Sequence, residues 1–312
     1  MLTGVLVSFD KLNPTISRPG VVPMYGDIFV ARWAYEGLAV EQFVDNDYER
    51  PIYQYEKQMQ SAIMKRDFWL KHLENKLSNY NRSVSDTASR ATIESDLLTI
   101  RNEVRQEMEE NPNVRPDFNP DSLTYELCSP ALIAKVQEYF DALRSYYIRQ
   151  FKNASKERDN YISERQQTPE QRKAYLDLKR DYHNESLSDF VTNNRETERI
   201  MEYNNRIYQK AIPIYLDPHH KLLRAHFYAP RKRFANWYVE TYWLNLAVVW
   251  GQSLLLYLCL YCRVLKKVLN RVGEFVEERK RRREKKVISR GTDESKSARR
   301  RRKAFQDLKI WR

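Results

Sequence analysis

Glycine and cysteine are scarce in this sequence, and each shortage excludes a class of protein. The 312 residues include seven glycines, and nowhere do these form the Gly-x4-Gly-Lys turn with which a P-loop cradles nucleotide phosphates. Three cysteines, Cys128, Cys259 and Cys262, do not make a disulfide framework. No Ser/His/Asp or Cys/His arrangement of a nucleophilic enzyme stands out. The sequence therefore predicts no catalytic residue, no cofactor and no enzyme activity within this chain.

A secretory signal peptide is also lacking at the N-terminus. Residues 1–7 are apolar but shorter than the hydrophobic segment of a signal peptide, and no basic region or small-residue cleavage site accompanies them. Other features below place much of the chain on the extracytoplasmic side, and the sequence contains no evident signal for moving it there. This absence predicts that the chain is a piece of something longer.

Net positive charge is lacking from most of the chain and is concentrated in its C-terminal tail. The segment 263–312 has an excess of Lys and Arg slightly larger than the whole net charge of +12. Its basic runs, 279–286 and 298–303, could bind nucleic acid. Next to a transmembrane helix, attraction to anionic lipid headgroups is the simpler interpretation. We therefore expect a membrane partner and no nucleic acid.

One long hydrophobic run is present near the C-terminus. The residues from Tyr242 to Cys262 include no charged side chain, and at 1.5 Å per residue they span roughly 30 Å, the thickness of a bilayer core. Tyr and Trp lie near both of its ends, as in an aromatic belt. The sequence predicts a transmembrane helix over 241–263, in the cell (inner) membrane.

Basic residues predict the orientation of this helix. Arg263, Lys266, Lys267 and Arg271 follow the run directly and are expected to anchor it on the cytoplasmic side, where Lys and Arg are enriched. The tail 264–312 is then cytoplasmic, and residues of about 44–237 are extracytoplasmic. The run 231–233 is also basic, but it is shorter.

A polar face within the hydrophobic run predicts contact with other helices. Asn245, Gln252 and Ser253 fall on one face at helical spacing, with Gly251 beside them. Small residues allow close approach of helices in a membrane, and amide side chains find partners across the interface. This face is expected to point into a helical bundle, although a simple anchor would also tolerate an Asn and a Gln.

The segment between the two ends of the chain is polar and helical. Apolar residues recur every three or four positions over roughly 51–80 and 91–110. Ser129-Pro130 and Thr168-Pro169 are helix starts, the latter with a capping box through Gln171, and the second helix could run to about Lys210. We expect an antiparallel, coiled-coil-like hairpin within a four-helix domain. The fold class is predicted to be all-α.

A histidine cluster is the one group with a metal-like composition. Asp217, His219, His220 and His226 lie within ten residues of one another. Adjacent histidines on an extended chain point to opposite sides and make a poor pair of ligands. An ordinary polar loop is the favoured interpretation, and no metal site is predicted.

The stretch RWAYEGLAVEQF (32–43) combines apolar residues with an Arg and a Glu. Arg32 and Glu36 are one helical turn apart and can neutralise each other. An ionisable residue in such surroundings needs a partner or an aqueous cavity. We interpret the stretch as a helix at the membrane interface and not as the site of a catalytic carboxylate.

The N-terminal region and the hydrophobic run resemble the end of the transmembrane domain in G-type (White/pleiotropic-drug-resistance) ABC transporters. The likeness to a bacterial ABC-2 subgroup with a large extracytoplasmic insert covers about 1–50 and 212–268. The matching positions are Gly4, Pro23, Arg32, Trp33, Tyr35, Glu36, Gly37, Leu38, Phe43 and nearby Asn46. The resemblance implies a re-entrant helix at 31–44 carrying Arg32, Trp33, Tyr35, Glu36 and Gly37, and a last transmembrane helix at 241–263.

The resemblance also implies a domain organisation and a function. Residues 1–50 would contain the end of a transmembrane helix and the re-entrant helix, 51–211 the insert, and 212–240 the return to the membrane. The chain would be the C-terminal permease part of a transporter, dimeric in its full assembly, with its ATP-binding domain and other transmembrane helices as partners. A single-pass, membrane-anchored scaffold or interaction protein is the alternative.

Overall fold

The computed structural model describes residues 19–83, 90–218 and 223–279, except for positions 236, 265, 268, 272, 275 and 276. The fold is mostly helical. Gly4, His219, His220 and the basic runs from residue 280 onward lie outside the described residues. The helices are α1 (Val30–Val44), α2 (Tyr53–Ile63), α3 (Leu70–Ser83), α4 (Arg90–Glu110), α5 (Pro130–Glu164), α6 (Pro169–Tyr182), α7 (Glu185–Thr192) and α8 (Thr241–Tyr261).

The largest apolar core is enclosed by α2 to α5, which we call the helical domain. A π-helical turn, Met64–Trp69, joins α2 to α3 without a break. Amphipathic spacing directs one face of each helix inward. The core consists of Ala62, Trp69, Leu70, Leu73, Leu77, Tyr80, Ile93, Leu97, Ile100, Val104, Leu123, Ile133, Val136, Tyr139, Phe140, Leu143 and Tyr147.

Ion pairs show how the helices of this domain run. Arg158 of α5 bonds Glu56 of α2 at 2.8 Å, and Arg144 of α5 bonds Glu74 of α3, so α5 is antiparallel to α2–α3. The expected pairing was between α5 and α6. The structure instead places α5 along α2, while Tyr175 of α6 contacts the ring of Tyr48. The predicted four-helix arrangement is therefore replaced by a bundle of three long segments: α2–α3, α4 and α5.

Helix starts in this region follow the local sequence. Ser129 accepts a hydrogen bond from the Leu132 amide at 3.2 Å, and Thr168 forms the expected capping box with Gln171. These side chains satisfy amides that have no partner within the helix. Both predicted starts are confirmed.

The expected helix up to Lys210 is wrong. It stops at Tyr182, α7 follows after Asn184 as N-cap, and a hairpin of β1 (Ile200–Tyr203) and β2 (Arg206–Gln209) occupies the rest. Asn204 and Asn205 both have positive φ, the geometry of a tight hairpin turn that asparagine tolerates. The prediction of an all-α fold missed this hairpin.

A second hairpin precedes the hydrophobic helix. Strands β3 (Arg231–Phe234) and β4 (Trp237–Glu240) pair antiparallel, with Lys232 opposite Val239. The return segment 212–240 is thus partly a strand pair. Beside it, α1 packs on α7 around a smaller core of Ala39, Val40, Phe43, Tyr53, Val191, Ile214 and Tyr228.

The hydrophobic run forms α8, within the predicted limits of 241–263. It is the one helix among the described residues that is long and apolar enough to cross a membrane. The chain divides into two compact units, Met1–Val249 and Trp250–Arg312, so the first turns of α8 belong to the packed unit. In the second unit the predicted anchor residues Arg263, Lys266, Lys267 and Arg271 are all exposed.

Candidate functional site

The first half of helix α1 directs charged side chains inward and apolar side chains outward, whereas its second half buries the apolar Ala39, Val40 and Phe43. Arg32 and Glu36 are 2% and 0% exposed. Ala31, Ala34 and Leu38, on the opposite face, are exposed, and Leu38 is 64% exposed. This arrangement reverses that of a surface helix in a water-soluble domain, in which apolar residues face the core.

The Glu36 carboxylate is the centre of a buried ionic cluster, which we define as Asp27, Arg32, Glu36, Lys232 and Asn245. Its Oε2 accepts hydrogen bonds from Lys232 Nζ at 2.7 Å and from Asn245 Nδ2 at 2.9 Å. Arg32 Nη2 lies 3.6 Å from the same oxygen. Three elements therefore meet at one carboxylate atom: α1, β3 and the second turn of α8.

Asn245 links the elements of the cluster through both ends of its amide. Its Oδ1 accepts from Lys232 Nζ at 2.8 Å, and its Nδ2 also donates to the carbonyl of Trp33 at 2.9 Å. Lys232 and Asn245 are at most 2% exposed. Since an amide provides both a donor and an acceptor, this one side chain can bond Lys232 and Glu36 at the same time.

Arg32 also contacts a second carboxylate and an aromatic ring. Its Nη1 lies 3.2 Å from Asp27 Oδ1, and its guanidinium lies 4.0 Å from the centre of the Trp33 ring. Lys232 Nζ is 4.5 Å from the same ring. A ring face attracts cations by its quadrupole, so Trp33 stabilises both positive charges within the cluster.

Burial and charge pairing act in opposition on the titrating groups. Burial raises the pKa of Glu36, but the nearby Lys232 and Arg32 charges and the hydrogen bonds from Lys232 and Asn245 outweigh it, so this pKa lies below its ordinary value. Burial and the nearby Arg32 charge together lower the pKa of Lys232 by more than Glu36 and Asp27 raise it. Burial also raises the pKa of Asp27. Glu36 is therefore ionised, and its charge is what keeps a buried Lys232 tolerable.

Close packing of α1 against α8 depends on Gly37. A Cβ atom at this position would lie 3.3 Å from Asn245 Cβ, which is tighter than ordinary van der Waals contact. Nearby, Thr241 Oγ1 donates to the carbonyl of Ala229 at 2.6 Å. The glycine and the threonine together place the start of α8 beside Glu36.

The structure brings together most of the residues predicted for the re-entrant helix. Trp33, Glu36 and Gly37 lie next to Asn245, and Arg32 pairs with Glu36. Tyr35 turns away and meets the rings of Phe190 and Tyr228. Of the polar face predicted on α8, Asn245 alone lies in the packed unit. Gly251 and Ser253 are exposed, Gln252 is half-buried, and all three belong to the unit that begins at Trp250.

Lys232 is the residue that sequence reasoning missed. It stands in the basic run 231–233, which resembled a flank of charges outside the membrane. A strand alternates its side chains between two faces, and this alternation separates Lys232 from its neighbours: Arg231 pairs with Asp217 at 2.8 Å, whereas Lys232 turns inward. Strand alternation was the available signal.

Of the histidine cluster, the structure describes Asp217 and His226, and each bonds other groups. Asp217 bonds Arg231 and Lys57, and His226 Nε2 lies 2.8 Å from the carbonyl of Pro213. Among the described residues, no group of three His, Cys, Asp or Glu side chains is placed to hold a metal ion.

The ionic cluster borders a small cavity of about 140 Å³ lined by Val22, Asp27, Arg32, Trp33, Leu223, Arg224 and Ala225. Ligand pockets usually measure about 300–1,000 Å³, so the cluster is better suited to joining elements than to holding a substrate. Comparison with known proteins finds no match to this chain among protein-family models, curated proteins or solved structures.

Proposed function

We propose that this chain is the membrane-spanning, C-terminal permease part of an ABC-2/G-type ABC transporter. In this proposal α8 is the last transmembrane helix and α1 is the re-entrant or interfacial helix at the outer end of the translocation path. The observation that carries the proposal is the inverted polarity of α1 and α8. The first half of α1 buries Arg32 and Glu36 and exposes Leu38, and α8 buries Thr241 and Asn245 and exposes its large apolar side chains.

Inverted polarity is what a lipid environment favours. Outside a membrane, an exposed Leu38 and a buried Glu36 on the same helix would each be unfavourable. Inside or next to a bilayer, ionisable residues turn toward protein partners and apolar residues turn toward lipid or other helices. We use the name membrane end for α1, the β3–β4 hairpin and the first turns of α8.

The exposed surface of α8 supports the presence of further helices or lipid around it. Only 6% of its 18-residue apolar stretch is buried. The exposed large apolar residues from this helix are Trp243, Trp250, Leu254, Leu255, Leu256, Tyr257, Leu258, Leu260 and Tyr261. A contiguous apolar surface of this kind marks a membrane or protein contact. In the permease, other transmembrane helices and lipid would cover it.

The ionic cluster would connect α1, the β3–β4 hairpin and the start of α8 rigidly at the outer end of the permease. Because Lys232, Glu36 and Asn245 bond one another, α1 and the β3–β4 hairpin cannot move relative to the start of α8 without breaking buried charge pairs. Lys57 of α2 and Arg231 of β3 both bond Asp217, and this connects the hairpin to the helical domain. Movements of α8 within the bundle would therefore be transmitted to the extracytoplasmic helical domain, where substrate or a partner would interact. The energy would come from ATP hydrolysed on a domain outside this sequence.

The proposed location is the cell (inner) membrane, with the C-terminus in the cytoplasm and residues of about 44–237 outside. Site-directed labelling tests this orientation in a cysteine-free full chain (Cys128→Ser, Cys259→Ser, Cys262→Ser). Leu127→Cys on the exposed helical domain should react with an impermeant maleimide in intact cells. Lys267→Cys, after α8, should react only after lysis. The reverse result would overturn the orientation, and a chain that carbonate washing removes from membranes would overturn the membrane assignment.

The transporter assignment has a genetic test. The reading frames that adjoin this one should encode a nucleotide-binding domain with a P-loop and the remaining transmembrane helices. Co-expression of those segments with this chain should yield a complex whose ATPase activity depends on the chain. Neighbouring frames without either component would refute the assignment.

A single-pass, membrane-anchored scaffold or interaction protein is the second candidate. The observation that favours it is the helical domain, which has its own apolar core and needs no other chain to complete it. Under this alternative, the chain purified alone in detergent should be monodisperse, correctly oriented and stable. The permease proposal instead predicts that the exposed surface of α8 makes the isolated chain associate until its partner helices are supplied.

A further inference from the structure

The tip of the β3–β4 hairpin exposes two large aromatic side chains. Phe234 and Trp237 are 55% and 77% exposed, and they face each other across the hairpin as the pair nearest the turn. Side chains two positions apart on a strand lie on the same face. Phe234 therefore points to the same side as Lys232, toward α1 and the start of α8.

The direction of the hairpin follows from its contacts with α8. The Thr241 amide donates to the carbonyl of Pro230 at 3.2 Å, and Asn245 Oδ1 accepts from Lys232 Nζ at 2.8 Å. Two residues of strand rise about 6.6 Å, and four residues of helix rise about 6 Å. Because the two advances agree, β3 runs beside α8 in the same direction as the helix.

The tip therefore lies beyond the ionic cluster, toward the membrane. Phe234 is two strand residues past Lys232, which is about 7 Å. If α8 enters the bilayer from Thr241, as the proposed function requires, β3 descends with it and β4 returns. The exposed aromatic pair is then the part of the hairpin that lies deepest.

The chemistry of the tip suits the headgroup layer. Aromatic residues, Trp above all, are enriched where the hydrocarbon meets the headgroups, because an apolar ring bears a polar edge. The described residues of the hairpin carry no acidic side chain before Glu240, at the far end of β4. On the opposite face Arg231 and Arg233 lie over the Tyr238 ring, at 4.2 and 5.9 Å, and guanidinium groups are attracted to lipid phosphates.

We infer that the β3–β4 hairpin is a second membrane contact of this protein, inserting Phe234 and Trp237 into the outer interfacial layer beside α8. This inference rests on the proposed membrane-spanning role of α8. It commits to lipid as the occupant, because the tip continues in the direction of a helix that itself enters lipid. The hairpin would fix the depth of the ionic cluster relative to the bilayer.

The test is depth-dependent quenching in the full chain, made cysteine-free as above. Single cysteines are introduced as Trp237→Cys, Glu240→Cys, Leu256→Cys and Leu127→Cys and labelled with an environment-sensitive fluorophore. The proteins are reconstituted into phosphatidylcholine bilayers with or without brominated acyl chains. Brominated lipid should reduce the fluorescence at 256 and at 237. It should have less effect at 240, at the far end of the same hairpin, and none at 127.

Each outcome separates the inference from the proposed function. Quenching at 256 without quenching at 237 overturns the hairpin contact and leaves α8 in the membrane. No quenching at either position overturns the membrane role of α8. A label at 237 that is protected from aqueous iodide but unaffected by brominated lipid also overturns the inference, since protein would then cover the tip. Equal quenching at 237 and 240 would overturn the inferred direction of the hairpin.

Discussion

The helical domain and the membrane end differ in what surrounds their buried charged side chains. In the helical domain, buried charged side chains such as Glu103 and Glu107 lie beside a large apolar core. At the membrane end the ions form the interior, and apolar side chains such as Leu38 and Trp237 are outside. Under the proposed function, the membrane end contacts lipid and the helical domain contacts water, and this would account for the difference.

The buried carboxylates Glu103 and Glu36 also differ in how completely they are bonded. In the helical domain, both oxygens of Glu103 accept hydrogen bonds, from Trp69 Nε1 at 2.6 Å and from the Ile207 amide at 2.9 Å. At the membrane end, Glu36 Oε1 and Arg32 Nε have no hydrogen-bond partner among the described residues. A buried network with unfilled positions depends more on each remaining partner.

Removing the Glu36 charge is predicted to have the largest effect. Glu36→Gln keeps the shape of the side chain but leaves Lys232 and Arg32 buried with less compensation. Breaking a buried ion pair by removing one partner costs about 3–5 kcal/mol. Denaturant unfolding of the purified chain in detergent measures this loss.

The double variant Glu36→Gln/Lys232→Met is the matched control, because it removes both charges of the pair. It should be more stable than the sum of the single variants predicts, by a coupling of about 0.5–3 kcal/mol. In the exposed pair of Asp47 and Arg50, Asp47→Asn should cost at most about 1 kcal/mol. Equal costs for Asp47→Asn and Glu36→Gln would contradict the central role of the cluster.

Acid should weaken the membrane end through the same carboxylate. The folded pKa of Glu36 lies below its ordinary value of 4.5, so the stability it provides is fully present above that pH and is lost as pH falls further. Burial raises the pKa of Glu103, so its contribution changes with the opposite sign and grows on acidification. Unfolding midpoints at pH 7 and pH 3 should show a smaller acid loss in Glu36→Gln than in the unmodified chain. An identical loss in both would exclude Glu36 as the source.

Truncation of Leu to Ala should reduce stability in the helical domain and have little effect at the membrane end. Leu73 is fully buried in the helical domain, and Leu73→Ala should cost about 2–5 kcal/mol because it leaves a cavity. Leu38→Ala, on the outward face of α1, should stay within about 0.5 kcal/mol. Both are measured by unfolding in detergent. A loss for Leu38→Ala close to that of Leu73→Ala would show that α1 is not inverted.

A larger side chain at position 37 should disrupt the packing of α1 against α8. Gly37→Leu places a side chain where a Cβ alone would approach Asn245 to 3.3 Å, and overpacking of this kind costs about 1–3 kcal/mol. Gly251 has nothing within 4 Å of its Cβ position. Gly251→Leu is therefore the control and should leave the unfolding midpoint of the isolated chain nearly unchanged. Hydrogen exchange should show the loss of protection at 36–40 and 241–245.

Sequence reasoning succeeded where the signal is local. The caps at Ser129 and Thr168 were predicted because a side chain bonds an amide three residues away. The limits of α8 were predicted because a bilayer sets a length and excludes charge. Both kinds of signal lie within one turn or one helix, so a single sequence contains them.

It failed where partners are distant along the chain. Glu36 and Lys232 are 196 residues apart, and no periodicity connects them. The β1–β2 hairpin was missed for another reason: the helix expected from Thr168 to about Lys210 covered Asn204 and Asn205, and their turn was not considered. In the ionic cluster, therefore, the Arg32–Glu36 pair was accessible to the sequence, but the closer Lys232 and Asn245 bonds needed the fold.

The smallest predicted effect concerns how helices begin within the membrane end and outside it. Helix α6 begins with the Thr168 cap, whereas α1 begins after Phe29, which makes no side-chain capping bond. Thr168→Ala should therefore lower stability by about 1 kcal/mol, with hydrogen exchange increased in the first turn of α6 alone. Phe29→Ala removes no cap, so faster exchange at the start of α1 would arise from lost packing. If the first turn of α6 remains protected in Thr168→Ala, tertiary contacts and not the cap hold the start of that helix. Helices α6 and α1 would then not differ in how they begin.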